Sequence, residues 1–204
     1  MPREMGTGRL EAFSDGVIAI IVTVMVLELR APAQPTIAAL VRVLPSLLSY
    51  LLSFLVVAIM WVNHHHMIHS VREVTARLLW LNLNLLFWMS LIPFVTDYMG
   101  KNYRQPLPVA MYGLSLTFCA AAFYLLRAEL VHQYEDDIEM RAYHESVQRK
   151  NLFSGMLYLL SAPLAYVSIY FSYLIFFGVA AAYFLPEKKL APPERKVSQN
   201  SRRP

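Results

Sequence analysis

Long apolar stretches constrain this chain more than any other feature of its sequence. The first runs from Val17 to Leu27, carries no charged side chain and contains Thr23 as its one polar residue. Similar stretches recur along the chain, and they are apolar on all sides instead of alternating with polar residues, which argues against a transmembrane barrel. About 20 apolar residues in a helix cross a bilayer. We therefore predict an all-α integral membrane protein.

The stretches divide into six predicted transmembrane helices within one domain, residues 1–185. Their approximate bounds are 10–29, 44–66, 77–97, 107–131, 152–167 and 169–185. Hydrophobic residues make up 57% of the chain, above the roughly 45–50% of soluble domains. We expect the fourth span to continue as a charged helix through Arg141, and the last two spans to be joined by a bend near Pro163. The segment 186–204 is predicted to be a disordered, basic cytoplasmic tail.

The basic residues predict the orientation in the membrane. With six spans, fourteen of the 18 Lys and Arg residues lie on the side that holds both termini. The other side holds Arg30, Arg42, Lys101 and Arg104. Because positive charge concentrates in cytoplasmic loops, we predict a multi-pass protein of the cell membrane with both termini in the cytoplasm. The same residues flank hydrophobic spans, so the net charge of +4 does not indicate a nucleic-acid partner.

Polar residues cluster at the cytoplasmic ends of the first three spans. Asp15 borders the first apolar run, where a carboxylate is costly, about 2.5–3.5 kcal/mol at a helix centre, so it should face protein or water. Asn82 and Asn84 lie at the same predicted depth, and buried amides need partners. We expect these groups to form an anchor between helices.

Four histidines end the second span, namely His64, His65, His66 and His69. His65 and His69 share one helix face, as in metal-binding helices, but no HExxH motif or neighbouring glutamate or cysteine completes a set. Hydrogen bonds to Ser14 and Asp15 are the favoured role, with pH sensing and metal binding as alternatives. The sequence predicts no metal ion and no cofactor.

One stripe of the first helix follows alternating steps of four and three residues. It comprises Arg9, Phe13, Gly16, Ile20, Thr23, Leu27 and Arg30. An aliphatic stripe of this kind is usually a packing seam between helices. A stripe that lines a pore has the same pattern, and the residues alone leave both interpretations open.

The start of this helix carries a longer signature, Arg9-x-x-x-Phe13-Ser14-Asp15-Gly16, followed by an aliphatic helix that contains Thr23. It resembles the first-helix signature of the transmembrane-protein-175 family, the lysosomal and bacterial potassium channels. The resemblance extends more loosely over residues 9–185 as a six-span layout. Eukaryotic members carry two six-span repeats, and this chain carries one.

The resemblance implies a homotetramer around the first span that conducts K⁺ across the lipid bilayer. Pore-lining residues would be Ile20, Thr23 and Leu27, with hydrophobic constrictions around a threonine ring that gives moderate selectivity for K⁺ over Na⁺. The resemblance also implies that polar contacts connect the first helix to the second and third helices. The residues assigned to this motif and its contacts are Arg9, Phe13, Ser14, Asp15, Gly16, Trp61, His65 and Asn82.

The motifs of other functional classes are missing from the sequence. It has no Walker A motif, no GxSxG motif and no glycine-rich nucleotide loop, so an enzyme is not indicated. It also lacks the TVGYG filter, so selectivity would have to come from side chains. Two alternatives to a channel are a proton-coupled secondary transporter that uses Asp15 and the histidines, and a structural membrane protein.

Overall fold

The computed structural model describes residues 6–184, and that part of the chain folds into seven α-helices. They are α1 (Thr7–Leu27), α2 (Ile37–His69), α3 (Ala76–Ser90), α4 (Ile92–Lys101), α5 (Pro106–Gln133), α6 (Ile138–Val167) and α7 (Ile169–Phe184). The tail predicted to be disordered, 186–204, lies outside the described residues. An all-helical architecture is thus confirmed.

Helices α3 and α4 form a single rod with a break at Leu91. Pro93 lies in the first turn of α4; it lacks a backbone N–H and its ring crowds the preceding turn, which interrupts the helix. Counted this way, residues 6–184 form six helical rods, whereas the sequence predicts six membrane-spanning helices. Four of them are long and apolar enough to cross a membrane: α1, α2, the combined α3–α4 rod and α5. Helix α7 is a shorter apolar helix.

The expected helical continuation through Arg141 is wrong. Helix α5 ends at Gln133, and after a turn the Asp137 side chain accepts a hydrogen bond from the backbone N–H three residues on, which caps α6. Arg72, from the loop after α2, donates to the Gln133 carbonyl at 3.1 Å and to the Asp136 carboxylate. The hydrogen bond to Arg72 lowers the pKa of Asp136. An aspartate cap and a basic partner thus favour a turn over a continuous helix.

The connection between α6 and α7 lies at Ser168, between the spans predicted as 152–167 and 169–185, and not at Pro163. Helix α6 continues through Pro163 and ends at Val167, and the chain breaks at Ser168 in an extended conformation, with φ −162° and ψ 123°. Ser168 still donates its backbone N–H to the Leu164 carbonyl. The bend therefore lies about one turn after the proline.

Close packing of α5 against α6 depends on Gly113. A Cβ atom at this position would lie 2.2 Å from Ser161 Oγ and 3.2 Å from the Tyr158 carbonyl oxygen. Real side chains do not approach so closely, so glycine permits this contact between backbones. Small residues serve the same purpose at helix interfaces within membranes generally.

Three hydroxyl groups connect α2, α4 and α5 inside the apolar core. Ser53 Oγ donates to Tyr112 Oη at 3.0 Å and lies 2.7 Å from Thr96 Oγ1. All three residues are buried. Since each hydroxyl finds a partner, these polar groups hold the helices together at little desolvation cost. Helix α1 packs on this frame against α2, α3 and α4.

Candidate functional site

The two faces of α1 have opposite environments. One face is buried against the neighbouring helices and comprises Leu10, Ser14, Ile18, Ile21 and Met25. The opposite face carries the predicted stripe, and every stripe residue is exposed. Ile20 is 62% exposed and Leu27 is 77% exposed. The stripe is therefore not a packing seam within one subunit.

The exposed stripe is not uniformly apolar. Thr23 lies between the two aliphatic residues and donates its hydroxyl hydrogen to the Ile20 carbonyl at 2.8 Å. Gly16 faces open space, since a Cβ atom there would meet no heavy atom within 4 Å. Arg9 adds a charge at the N-terminal end of the same face. The stripe thus combines aliphatic, hydroxyl and cationic side chains along one line of the helix.

A buried hydrogen-bonded chain joins α1, α2 and α3. His64 Nε2 lies 2.7 Å from Asn82 Oδ1, Asn82 Nδ2 donates to Ser14 Oγ at 2.9 Å, and Ser14 Oγ donates to the Leu10 carbonyl at 2.9 Å. Because Asn82 offers its oxygen to the imidazole, His64 must carry a proton on Nε2. Ser14, His64 and Asn82 are fully buried, so the chain fixes the depth of α1 against its neighbours.

The structure separates the predicted polar cluster into an inner and an outer part. The histidine that contacts Asn82 is His64 and not His65. Asp15 accepts a hydrogen bond from Trp61 Nε1 at 2.9 Å, at an exposed position. Asn84, which we expected to join, makes no side-chain hydrogen bond in the part of the chain that is described. Phe13, also assigned to the motif, lies on the exposed stripe.

Glu11 is the site residue that the sequence analysis missed. Its Oε1 lies 3.0 Å from His65 Nδ1 and 3.4 Å from His69 Nε2. The spacing offered a signal: Glu11 and Asp15 are one turn apart on α1, and His65 and Trp61 are one turn apart on α2. Two antiparallel helices in this register bring both pairs into contact at once.

A second buried polar pair lies elsewhere, between α5 and α6. Arg127 Nη1 is 3.2 Å from His144 Nδ1. Burial, reinforced by the Arg127 charge, lowers the pKa of His144 to about 4. The imidazole is therefore neutral at pH 7 and accepts the hydrogen bond from the guanidinium, which can only donate. This pair is separate from the cluster at α1.

Comparison with known proteins gives one family. Residues 9–93, which span α1 to the start of α4, match the family described as endosomal/lysosomal potassium channel TMEM175. A protein of Chryseobacterium sp. (strain P1-3) named a potassium channel is 37% identical over 197 residues, covering 96% of this chain and 100% of that protein.

A solved structure and a human protein extend the comparison. The crystal structure of a lysosomal potassium-selective channel TMEM175 homolog from Chamaesiphon minutus superimposes with a TM-score of 0.67 at 28% identity, over 87% of this chain and 95% of that one. The human endosomal/lysosomal proton channel TMEM175 is 31% identical over 144 residues, which is 62% of this chain and 29% of the human protein.

Proposed function

This chain belongs to the TMEM175 family of channels, and from that premise we propose that it is a potassium-permeable cation channel whose pore is lined by the exposed stripe of α1. The family consists of ion channels and not of enzymes. The apolar helices α1, α2, α3–α4 and α5 make it a membrane protein.

The uncovered stripe carries the proposal. It lies opposite the face by which α1 packs on its neighbours, and a single helix cannot enclose a pore. Rotational symmetry brings one copy of each stripe residue from every subunit to a common axis as a ring. We propose four subunits, in keeping with the family that the signature resembles. The observation behind the ring is the shared exposure of Gly16, Ile20, Thr23 and Leu27.

Each ring has a distinct chemical role in this assembly. Rings of Ile20 and Leu27 form hydrophobic constrictions, which gate by excluding water when narrow. The Thr23 ring between them supplies oxygen atoms that replace part of the hydration shell of an ion. Selectivity for K⁺ over Na⁺ is then moderate, because these are side-chain oxygens in place of a filter of backbone carbonyls.

The buried chain of Ser14, Asn82 and His64 is the anchor of the pore helix. It holds α1 against α2 and α3 from the side opposite the stripe. A pore helix needs such support, because a shift of one helical position turns a different face toward the axis. The Asp15–Trp61 hydrogen bond adds a second contact at the rim.

We propose further that the protein crosses the cell membrane six times with both termini in the cytoplasm. The support is the concentration of Lys and Arg on one side of the six-rod layout. Reporter proteins fused separately to the N- and C-terminus should both show a cytoplasmic signal. Reporters that disagree, or that both lie outside, would contradict this arrangement.

Purified protein in liposomes tests the function. A potassium gradient should drive steady current through single particles, with a reversal potential near the potassium equilibrium potential. With symmetric potassium and an acid gradient, the reversal potential should stay near zero. A reversal potential that follows the proton gradient would instead favour proton permeation, as in the name of the human relative. An ion flux per particle no faster than the turnover of a transporter would favour coupled transport. The absence of any flux would favour a structural role.

A further inference from the structure

Three metal-ligating groups converge where the first turns of α1 meet the last turns of α2. Glu11 contributes a carboxylate oxygen, His65 its Nδ1 and His69 its Nε2. All three ligand atoms lie within 4.8 Å of one another. The sequence predicts no metal site because the carboxylate comes from a different helix.

The spacing of these atoms fits a small divalent ion. Zinc binds histidine nitrogen and carboxylate oxygen at about 2.0–2.1 Å, so two ligand atoms in a tetrahedral site lie about 3.3 Å apart. Glu11 Oε1 lies 3.0 Å from the His65 nitrogen and 3.4 Å from the His69 nitrogen, and the two nitrogens lie within 4.8 Å of each other. A metal ion therefore requires shifts of about 1 Å or less in side chains that already face one another.

The ligand set is one that proteins use for such ions. Two histidines four residues apart on a helix present both rings on one face, and the rings of His65 and His69 meet edge to face with centroids 4.5 Å apart. Two imidazoles and one carboxylate suit Zn²⁺ and other first-row divalent ions, with water in the fourth position. His69 is exposed, so that position is open to solvent.

Hydrogen bonds and a metal ion make different demands on these three groups. One carboxylate oxygen, Oε1, lies near both imidazoles, so hydrogen bonds need an N–H on each facing nitrogen. A metal ion needs no proton on either nitrogen and satisfies all three groups together. We propose that Glu11, His65 and His69 form a binding site for a divalent transition-metal ion of the zinc class.

The site connects two helices with different roles. Glu11 belongs to α1, the proposed pore helix, and the histidines belong to α2. A bound ion holds the first turns of α1 against α2, just outside the buried anchor. Any effect of the bound ion on potassium flux rests on the proposed function, whereas metal binding itself does not.

Zinc titration of the purified, tag-free protein by calorimetry tests the site directly. Wild type is expected to bind one Zn²⁺ per subunit. Loss of even an outer-shell partner costs about 10–100-fold in metal affinity, so Glu11→Gln and His69→Ala should each weaken binding at least that much. His66→Ala is the matched control, since His66 is exposed on the same segment and outside the cluster.

The outcomes separate metal binding from channel function. Equal affinity in wild type, Glu11→Gln and His69→Ala, or no binding by wild type, would overturn the proposal. Glu11→Gln preserves side-chain size, so it remains informative if His69→Ala fails to fold. Potassium flux measured with and without Zn²⁺ then tests regulation alone: a missing flux would contradict the proposed function and leave the titration result standing.

Discussion

Replacing Ile20 or Leu27 with alanine should raise the potassium conductance of the assembled protein severalfold and reduce its selectivity. Both side chains are exposed on the stripe, so in the proposed tetramer each forms a constriction of apolar surface. Smaller side chains widen the ring and allow water to remain inside it, which lowers the barrier for a hydrated ion. Flux per assembled particle, measured after size-exclusion chromatography, checks this expectation.

The control for this experiment lies on the same helix. Ile21 is 4% exposed on the buried face, so Ile21→Ala should cost about 2–5 kcal/mol of stability, by analogy with soluble cores, and should not raise flux per particle. If the stripe were a seam between subunits, Ile20→Ala would behave like Ile21→Ala and weaken the assembly without a gain of current. Unchanged flux in intact assemblies of Ile20→Ala and Leu27→Ala would refute the pore assignment.

Thr23 tests the same pore by a different property. Thr23→Val keeps the shape of the side chain and removes its oxygen, so discrimination between K⁺ and Na⁺ should fall while current persists. Thr23→Ser retains the oxygen and should retain most of the discrimination. Reversal potentials with K⁺ on one side and Na⁺ on the other provide the measurement.

Replacing Asn82 with alanine should cause the largest loss of stability among the polar variants. The change leaves the buried His64 Nε2–H without its acceptor, and an unsatisfied buried donor costs about 1–3 kcal/mol. It also removes the direct contact between α3 and Ser14 of α1. We expect less assembled protein after mild heating in detergent, scored by size-exclusion chromatography, and unchanged ion preference in the particles that survive.

Asn84→Ala is the matched control for this loss. Asn84 lies on the same helix, is half-buried, and makes no side-chain hydrogen bond within residues 6–184. Its replacement should change stability by no more than about 0.5 kcal/mol. Equal thermal loss in the two variants would show that the Ser14–Asn82–His64 chain does not anchor α1.

Residue patterns along the chain were sufficient to predict the helical rods and to group the residues of the α1 stripe, but they left open whether that stripe is buried or exposed. Length and uninterrupted hydrophobicity determine whether a helix crosses a membrane, and both are local properties. The stripe from Arg9 to Leu27 follows from helical periodicity alone. Whether that stripe is covered depends on the neighbouring helices, so its exposure is a property of the packing.

Features that depend on how helices meet could not be predicted in the same way. Four histidines lie close together on α2, and only the rotation of that helix against α3 selects His64 as the partner of Asn82. Glu11 approaches His65 because α1 and α2 run antiparallel in one particular register. The bend expected near Pro163 does not occur there, since α6 continues through that proline to Val167.

The hydrogen bond from Thr23 to the Ile20 carbonyl has a consequence for what such a ring can conduct. A hydroxyl has one hydrogen, and here that hydrogen is committed to the backbone of its own helix. Each Thr23 hydroxyl of the proposed assembly therefore presents only its lone pairs to the pore axis. Proton hopping along hydroxyls requires every link to donate as well as accept, so this ring adds no link to a proton wire. The same lone pairs remain available to a partly dehydrated metal cation, which needs only acceptors.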